Sequence, residues 1–294
     1  MTLHPQLKKW LILLLKIVVS GGCLWYVVYK IDWKTSWKTI HQSNFFWLIC
    51  AVLLIVSSKL IAAFRLNIYF KNIGAALHQK VNLKLYWLGM YYNVFLPGGI
   101  GGDAYKVVML NRTYNHSAKL LTAAVLLDRV SGVAGIGVLS ALYYFGVFNG
   151  MNYSYWLLAS AVPGLIIYYF TVKQFFPSFI RNFWSTFWLG LLVQFTQVIS
   201  IYCLMAALHI NHHHTEYILI FLLSSLIAVL PFTIGGLGAR EVVFIWGSHQ
   251  FLLNQSESVV ISLLFYLISV SISMPGIYWV YNNPLPKALV IADV

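Results

Sequence analysis

The chain has 294 residues, of which 60% are hydrophobic, 17% aromatic and only 9% charged. Soluble domains carry roughly a quarter of their residues as charges, so this composition, with a mean hydropathy of +0.78, excludes one. The formal charge of +12 does not indicate nucleic acid, because no soluble basic fold is present to offer a groove-reading element; it fits Lys- and Arg-loaded cytoplasmic loops, with attraction to anionic lipid head groups as the sharper reading.

In chain order, Lys8 and Lys9 precede the apolar segment Trp10–Tyr29. This segment is longer than a cleaved signal core and lacks a small-x-small exit, so it reads as a retained first span. Phe45–Phe64 is the second span, and Leu85–Leu96 is a shorter apolar stretch that stops at a break. A helical stretch, about Ala104–Asn111, follows the break; Leu120–Phe148, Tyr155–Val172 and Thr186–Leu208 are full spans. Tyr217–Leu230 is a second short stretch ending at a break, followed by about Arg240–Phe251 and then the last span, Val259–Tyr281. Crossing the hydrocarbon takes about 20 residues, which neither short stretch supplies. The expected fold is therefore all-α: a polytopic integral membrane protein of six full spans plus two re-entrant or broken helical hairpins. Eight spans result instead if each interrupted segment is one bent crossing.

Loop charges orient this plan. Lys8, Lys9, Arg65, Lys71, Lys80, Lys84, Arg112, Lys119, Lys173, Arg181 and Lys287 all fall on one side, whereas Asn149–Ser154 and His209–Glu216 contain no Lys or Arg. The positive-inside rule then makes the first side, with both termini, cytoplasmic; only Lys30, Lys34 and Lys38 disagree. Under this count the first break enters from the cytoplasm and the second from outside. Residues 1–294 then form a single membrane domain of two inverted halves, roughly 1–150 and 151–294, a plan found in many secondary transporters.

The breaks are a repeated phrase. Leu96-Pro97-Gly98-Gly99-Ile100-Gly101-Gly102 and Leu230-Pro231-Phe232-Thr233-Ile234-Gly235-Gly236 both read L-P-x-x-I-G-G. Proline and paired glycines interrupt a helix, and the freed backbone must then be buried in protein or line a watery cavity. Asp103 and Lys106 follow the first copy, and Arg240 and Glu241 follow the second. A helix starting there aims N–H groups into the break, which suits a phosphate or carboxylate. Asp128 and Arg129 lie inside a span, where charges face a cavity or one another; Lys59 is similar, unless it snorkels toward the Arg65 side.

Other features point away from specific chemistry. Cys23, Cys50 and Cys203 are isolated, so neither a disulfide framework nor a zinc site is expected. The run His209 to Glu216 reads as a polar outer loop rather than a metal site. No catalytic motif is present, so no catalytic residue and no cofactor is expected.

The segment Asn93 to Asp103, with Lys106 and Asp128-Arg129-Val130-Ser131-Gly132, resembles the signature of the lysylphosphatidylglycerol synthase transmembrane-region family, also called flippase-like. Leu230-Pro231 through Gly235-Gly236 to Arg240-Glu241 resembles that family's second signature, and Arg65 falls where the family tends to carry Arg. The resemblance implies a bacterial or archaeal inner-membrane protein that moves lipids or helps move them. It adds Asn93, Pro97, Gly98, Gly101, Gly102, Pro231, Gly235 and Gly236 to the charged residues as candidate substrate-binding positions. The 294 residues contain no stretch fit to be the soluble synthase domain, so lipid aminoacylation is not expected. Lys106 stands where many relatives have Arg, which keeps the charge but loses bidentate phosphate recognition. The expected function is transport or presentation of an anionic phospholipid or lipid-linked glycan. Rival readings are an integral-membrane transferase acting on a lipid carrier, and a non-catalytic partner of a separate lipid-modifying enzyme.

Overall fold

A computed structural model describes residues 40–95, 99–230 and 238–286, with single positions at 18, 21, 22, 25 and 29. Every regular element among the described residues is helical, as lipid requires of a backbone that has no water to bond. The elements are α1 (Phe45–Asn72), α2 (Gln79–Phe95), α3 (Gly101–Tyr114), α4 (Ala118–Val147), α5 (Asn152–Phe175), α6 (Phe183–Ala207), α7 (His214–Val229), α8 (Ala239–Gln250), α9 (Gln255–Ser273) and α10 (Tyr278–Tyr281). Short 3₁₀ turns at Pro177–Asn182 and Met274–Ile277 lead into α6 and α10.

Five stretches are long and apolar enough to cross a bilayer: Phe45–Asn72, Ala118–Val147, Asn152–Phe175, Pro177–Ala207 and Gln255–Tyr281. The chain is a multi-pass membrane protein. The expected first span, Trp10–Tyr29, lies outside the described residues except at the single positions, as do Lys30, Lys34 and Lys38.

Two boundaries differ from the sequence reading. α1 does not end at Phe64 but continues to Asn72, so Arg65 and Lys71 belong to a helix rather than a connection. The helix can run on because Arg65, 5% exposed, meets an acid inside the protein instead of turning to water. The last crossing is not one uniform helix either. Pro275 lacks an N–H, and the chain narrows there to a 3₁₀ turn whose Gly276 sits against the Trp87 carbonyl.

The core is an antiparallel pair flanked by a third helix. Asn44 N, just before α1, donates to Ala207 O at the end of α6 (2.8 Å), and the Tyr69 and Phe179 rings meet at the opposite end. α4 runs parallel to α6: Gly135 packs on the Gly190 backbone, and the Tyr143 and Tyr202 hydroxyls stand 3.3 Å apart further along. Small residues allow this closeness where no hydrophobic effect drives helices together. α5 stands at the margin, with only 6% of its apolar window buried.

Both interrupted segments fold back on themselves. In the first, Gly102 N donates to Asn93 Oδ1 (2.9 Å), Tyr92 meets Tyr105, and Lys106 lies over the Tyr86 ring. Positions fall along α2 as they rise along α3, so the two helices are antiparallel. In the second, Arg240 Nη1 donates to Ser225 Oγ (3.1 Å) and Gly247 packs on Ile220, which makes α7 and α8 antiparallel too. Each is a hairpin, and a single bent crossing does not describe either.

The hairpins enter from opposite ends of the bundle. α2 begins beside the end of α1, where Asn67 Nδ2 donates to Leu77 O (2.8 Å). α7 begins beside the far end of α4, where Thr215 packs against Gly146. The repeat residues Pro97, Gly98, Pro231, Gly235 and Gly236 lie outside the described residues. On either side of the gaps, Gly99 (φ 64°) and Gly238 (φ 84°) hold left-handed conformations that disfavour any side chain.

Candidate functional site

Asp103 sits in the first turn of α3 and holds two cations. Its Oδ1 accepts from Lys106 Nζ at 2.9 Å and its Oδ2 from Arg129 Nε at 2.5 Å. The spacing of three residues puts Asp103 and Lys106 on one helix face. Arg129 also donates through Nη2 to Gly99 O at 2.6 Å, so it ties α4 to the break itself. The Lys106 stem runs over Gly89, where a Cβ would overlap its Cε. One turn away Gly102 touches the Gly89 carbonyl, so the hairpin is pinched at these two glycines.

Asp128 and Arg129 do not pair with each other. Successive residues point about 100° apart on a helix of 3.6 residues per turn, so Arg129 reaches α3 while Asp128 turns toward α1. There Arg65 Nε donates to Asp128 Oδ1 at 2.7 Å. The Arg65 guanidinium lies against Gly132 and Gly190, which leave room for it between α4 and α6. Its Nη1 is buried with no hydrogen-bond partner among the described residues.

The second hairpin is built differently from the first. Arg240 donates to Ser225 Oγ, and its guanidinium lies 5.3 Å above the Phe265 ring. Glu241, fully buried, accepts from Gly238 N (2.8 Å) and from Ser262 Oγ (2.9 Å). The sequence reading made Arg240 and Glu241 the equivalent of Asp103 and Lys106, but residues one apart cannot share a helix face. Glu241 caps α8 and ties it to α9, whereas Arg240 faces the interior. The N–H groups aimed at the breaks are also partly spent internally: Asn93 takes that of Gly102 and Glu241 that of Gly238.

The charged residues line two adjoining cavities. One, of about 260 Å³, is walled by Lys59, Arg65, Asn93, Asp103, Lys106, Asp128 and Arg129. The other, of about 240 Å³, is walled by Lys59, Ser225, Arg240, Tyr266 and Ser269. They share Lys59, Ile136, Gln194 and Val229. Val94, next to the first break, lines the second cavity, and Val229, next to the other break, lines both, so the hairpin tips meet between them. Among the described lining residues, four cations face two carboxylates in the first cavity, and Lys59 and Arg240 line the second with no carboxylate. Gln194 Oε1 and Ser269 Oγ are buried without partners among the described residues.

The structure thus brings together Asn93, Asp103, Lys106, Asp128, Arg129 and Arg240, with Gly101 and Gly102 opening α3 beside them. Glu241 sits behind the second cavity. Gln194 and Gln197 were missed by the sequence reading; two amides within an otherwise apolar span were the available signal. The His209–Glu216 run forms no metal cluster among the described residues: His213 pairs with Glu216, and His214 and His209 face backbone carbonyls.

Glu241→Ala is expected to lower stability by about 2 kcal/mol, because it strands a buried N–H and a buried hydroxyl. Unfolding of the variant and of wild type in detergent will check this.

Helical hairpins that meet from opposite ends at a buried charge cluster define the class: a polytopic α-helical membrane domain. Residues 13–179 and 171–276 match the family described as lysylphosphatidylglycerol synthase TM region. The chain belongs to that family. No curated protein matches the sequence.

Proposed function

We propose that the chain carries an anionic lipid, a phospholipid or lipid-linked glycan, between the leaflets of a bacterial inner membrane, with both termini cytoplasmic. The observation that supports this reading is the excess of cations over carboxylates among the described lining residues of two adjoining cavities at the hairpin tips. A phosphate entering hydrocarbon loses its hydration at great cost unless charges replace the water. Lys106, Arg129 and Arg240 supply those charges. Asp103 keeps Lys106 and Arg129 in place, and Asp128 holds Arg65 beside them; a head group then shares the bases. Membrane lipids are the partners on this reading, and no catalytic residue or cofactor takes part.

The test is reconstitution in liposomes with labelled phosphatidylglycerol or a lipid-linked sugar. Transbilayer movement above that of protein-free vesicles supports the reading. No movement of any lipid offered, with or without a proton gradient, overturns it in favour of a transferase or a partner of a lipid-modifying enzyme.

A further inference from the structure

We propose that Lys59 is a relay that passes the anionic head group between two separate stations, one at Lys106 and Arg129 and the other at Arg240. This inference rests on the transport reading above and adds the route to it.

Lys59 occupies the middle of the 28-residue helix α1, and so the middle of the membrane-crossing path. Among the described residues it is the one cation that lines both cavities. At the junction its neighbours are Ile136 and Val229, which offer an anion nothing, and Gln194, whose Oε1 has no partner among the described residues. On the proposed route an anion leaving Arg129 for Arg240 moves past these shared lining residues. Without a counter-charge there it would cross a low-dielectric gap bare, which is the costliest point of the path.

Lys59 also differs from the other three cations of the first cavity in making no ion pair among the described residues. Arg65, Lys106 and Arg129 are each held by a carboxylate. Lys59 has no carboxylate within ion-pairing distance among the described residues, and its ammonium ends a flexible four-carbon stem. It can therefore follow an anion from one cavity into the other, which the pinned cations cannot. The far station suits an arriving anion: among the described residues Arg240 is held by a hydroxyl and a ring face and makes no ion pair, so an arriving anion meets a guanidinium that no carboxylate already grips.

The experiment uses the full chain in liposomes containing fluorescent phosphatidylglycerol. Lys59→Gln and Lys59→Arg are compared with wild type for transbilayer rate, and for phosphatidylglycerol retained by the purified protein. Lys59→Gln is expected to slow movement at least about tenfold while retaining lipid, since both stations remain. Lys59→Arg is expected to restore movement to within a few-fold of wild type. Lys59→Met serves as a second neutral variant and should behave like Lys59→Gln. Wild-type rates in the neutral variants overturn the relay and leave the transport reading standing. Loss of lipid retention together with movement also overturns it, because Lys59 is then part of one binding site. If wild type itself moves no lipid, the transport reading fails first.

Discussion

Asp103→Asn is expected to destabilise the protein by about 3–5 kcal/mol, the usual cost of removing one partner from a buried ion pair. The position is severe because one carboxylate holds two cations whose side chains are only 4% and 26% exposed, Lys106 and Arg129. After the change one neutral amide oxygen is left for two cations; apart from it Lys106 has the Tyr86 ring face and Arg129 the Gly99 carbonyl. If the cavity takes lipid phosphate, part of the loss should return in micelles containing phosphatidylglycerol, since a bound anion replaces the missing carboxylate. Unfolding measured in neutral and in anionic mixed micelles separates the two terms. A loss below about 1 kcal/mol in neutral micelles would mean that the triad behaves like a hydrated surface pair. Replacing the triad together, with Asp103→Leu, Lys106→Met and Arg129→Met, should be far milder for stability, because no charge is left stranded. That variant should still move no lipid.

The architecture was legible because membrane crossing is written in one dimension. Apolar runs of sufficient length, and a phrase of proline and glycines repeated at matching places, locate the spans and the two breaks without knowledge of any contact. The charge partners were not legible in that way. Asp128 pairs with a residue 63 positions earlier and Arg129 with one 26 earlier, and nothing local announces either. Arg65 looked like a loop residue because a charge commonly ends a span; burial beside Asp128 lets the helix continue. Glu241 looked like the second copy of an acid–base pair, yet its spacing of one from Arg240, against three between Asp103 and Lys106, already placed the two on different faces. Hairpin and bent crossing share the same residues in the same order, so only the facing positions of α2 and α3 separate them. Gly89 carries the most informative of those contacts and has no repeat or motif to mark it. Lys59 was visible as an intramembrane charge, but its place in both cavities depends on how two hairpins meet.

Gly102→Val is expected to prevent the first hairpin from closing, with a stability loss at or beyond the usual overpacking cost of about 1–3 kcal/mol. A Cβ at Gly102 would run into the carbonyl of Gly89, which is backbone on a facing helix and has no rotamer to change. The two helices must therefore separate, and Asp103, the next residue, moves away from Arg129 with them. Gly89→Ala should behave differently. Its Cβ would meet the Lys106 stem, a flexible side chain that can shift, so stability should fall less while the ammonium leaves Asp103 and transport suffers. Gly137→Ala is the control: its Cβ meets nothing within 4 Å, and in mid-helix alanine should stabilise by about 0.5–1 kcal/mol. Unfolding midpoints and transbilayer rates for the three variants give an order. Stability should fall most in Gly102→Val, while Gly89→Ala should show the largest loss of transport relative to its loss of stability. Equal behaviour of Gly102→Val and Gly137→Ala would show that close backbone approach at the pinch is not what holds Asp103 against the cations of the cavity.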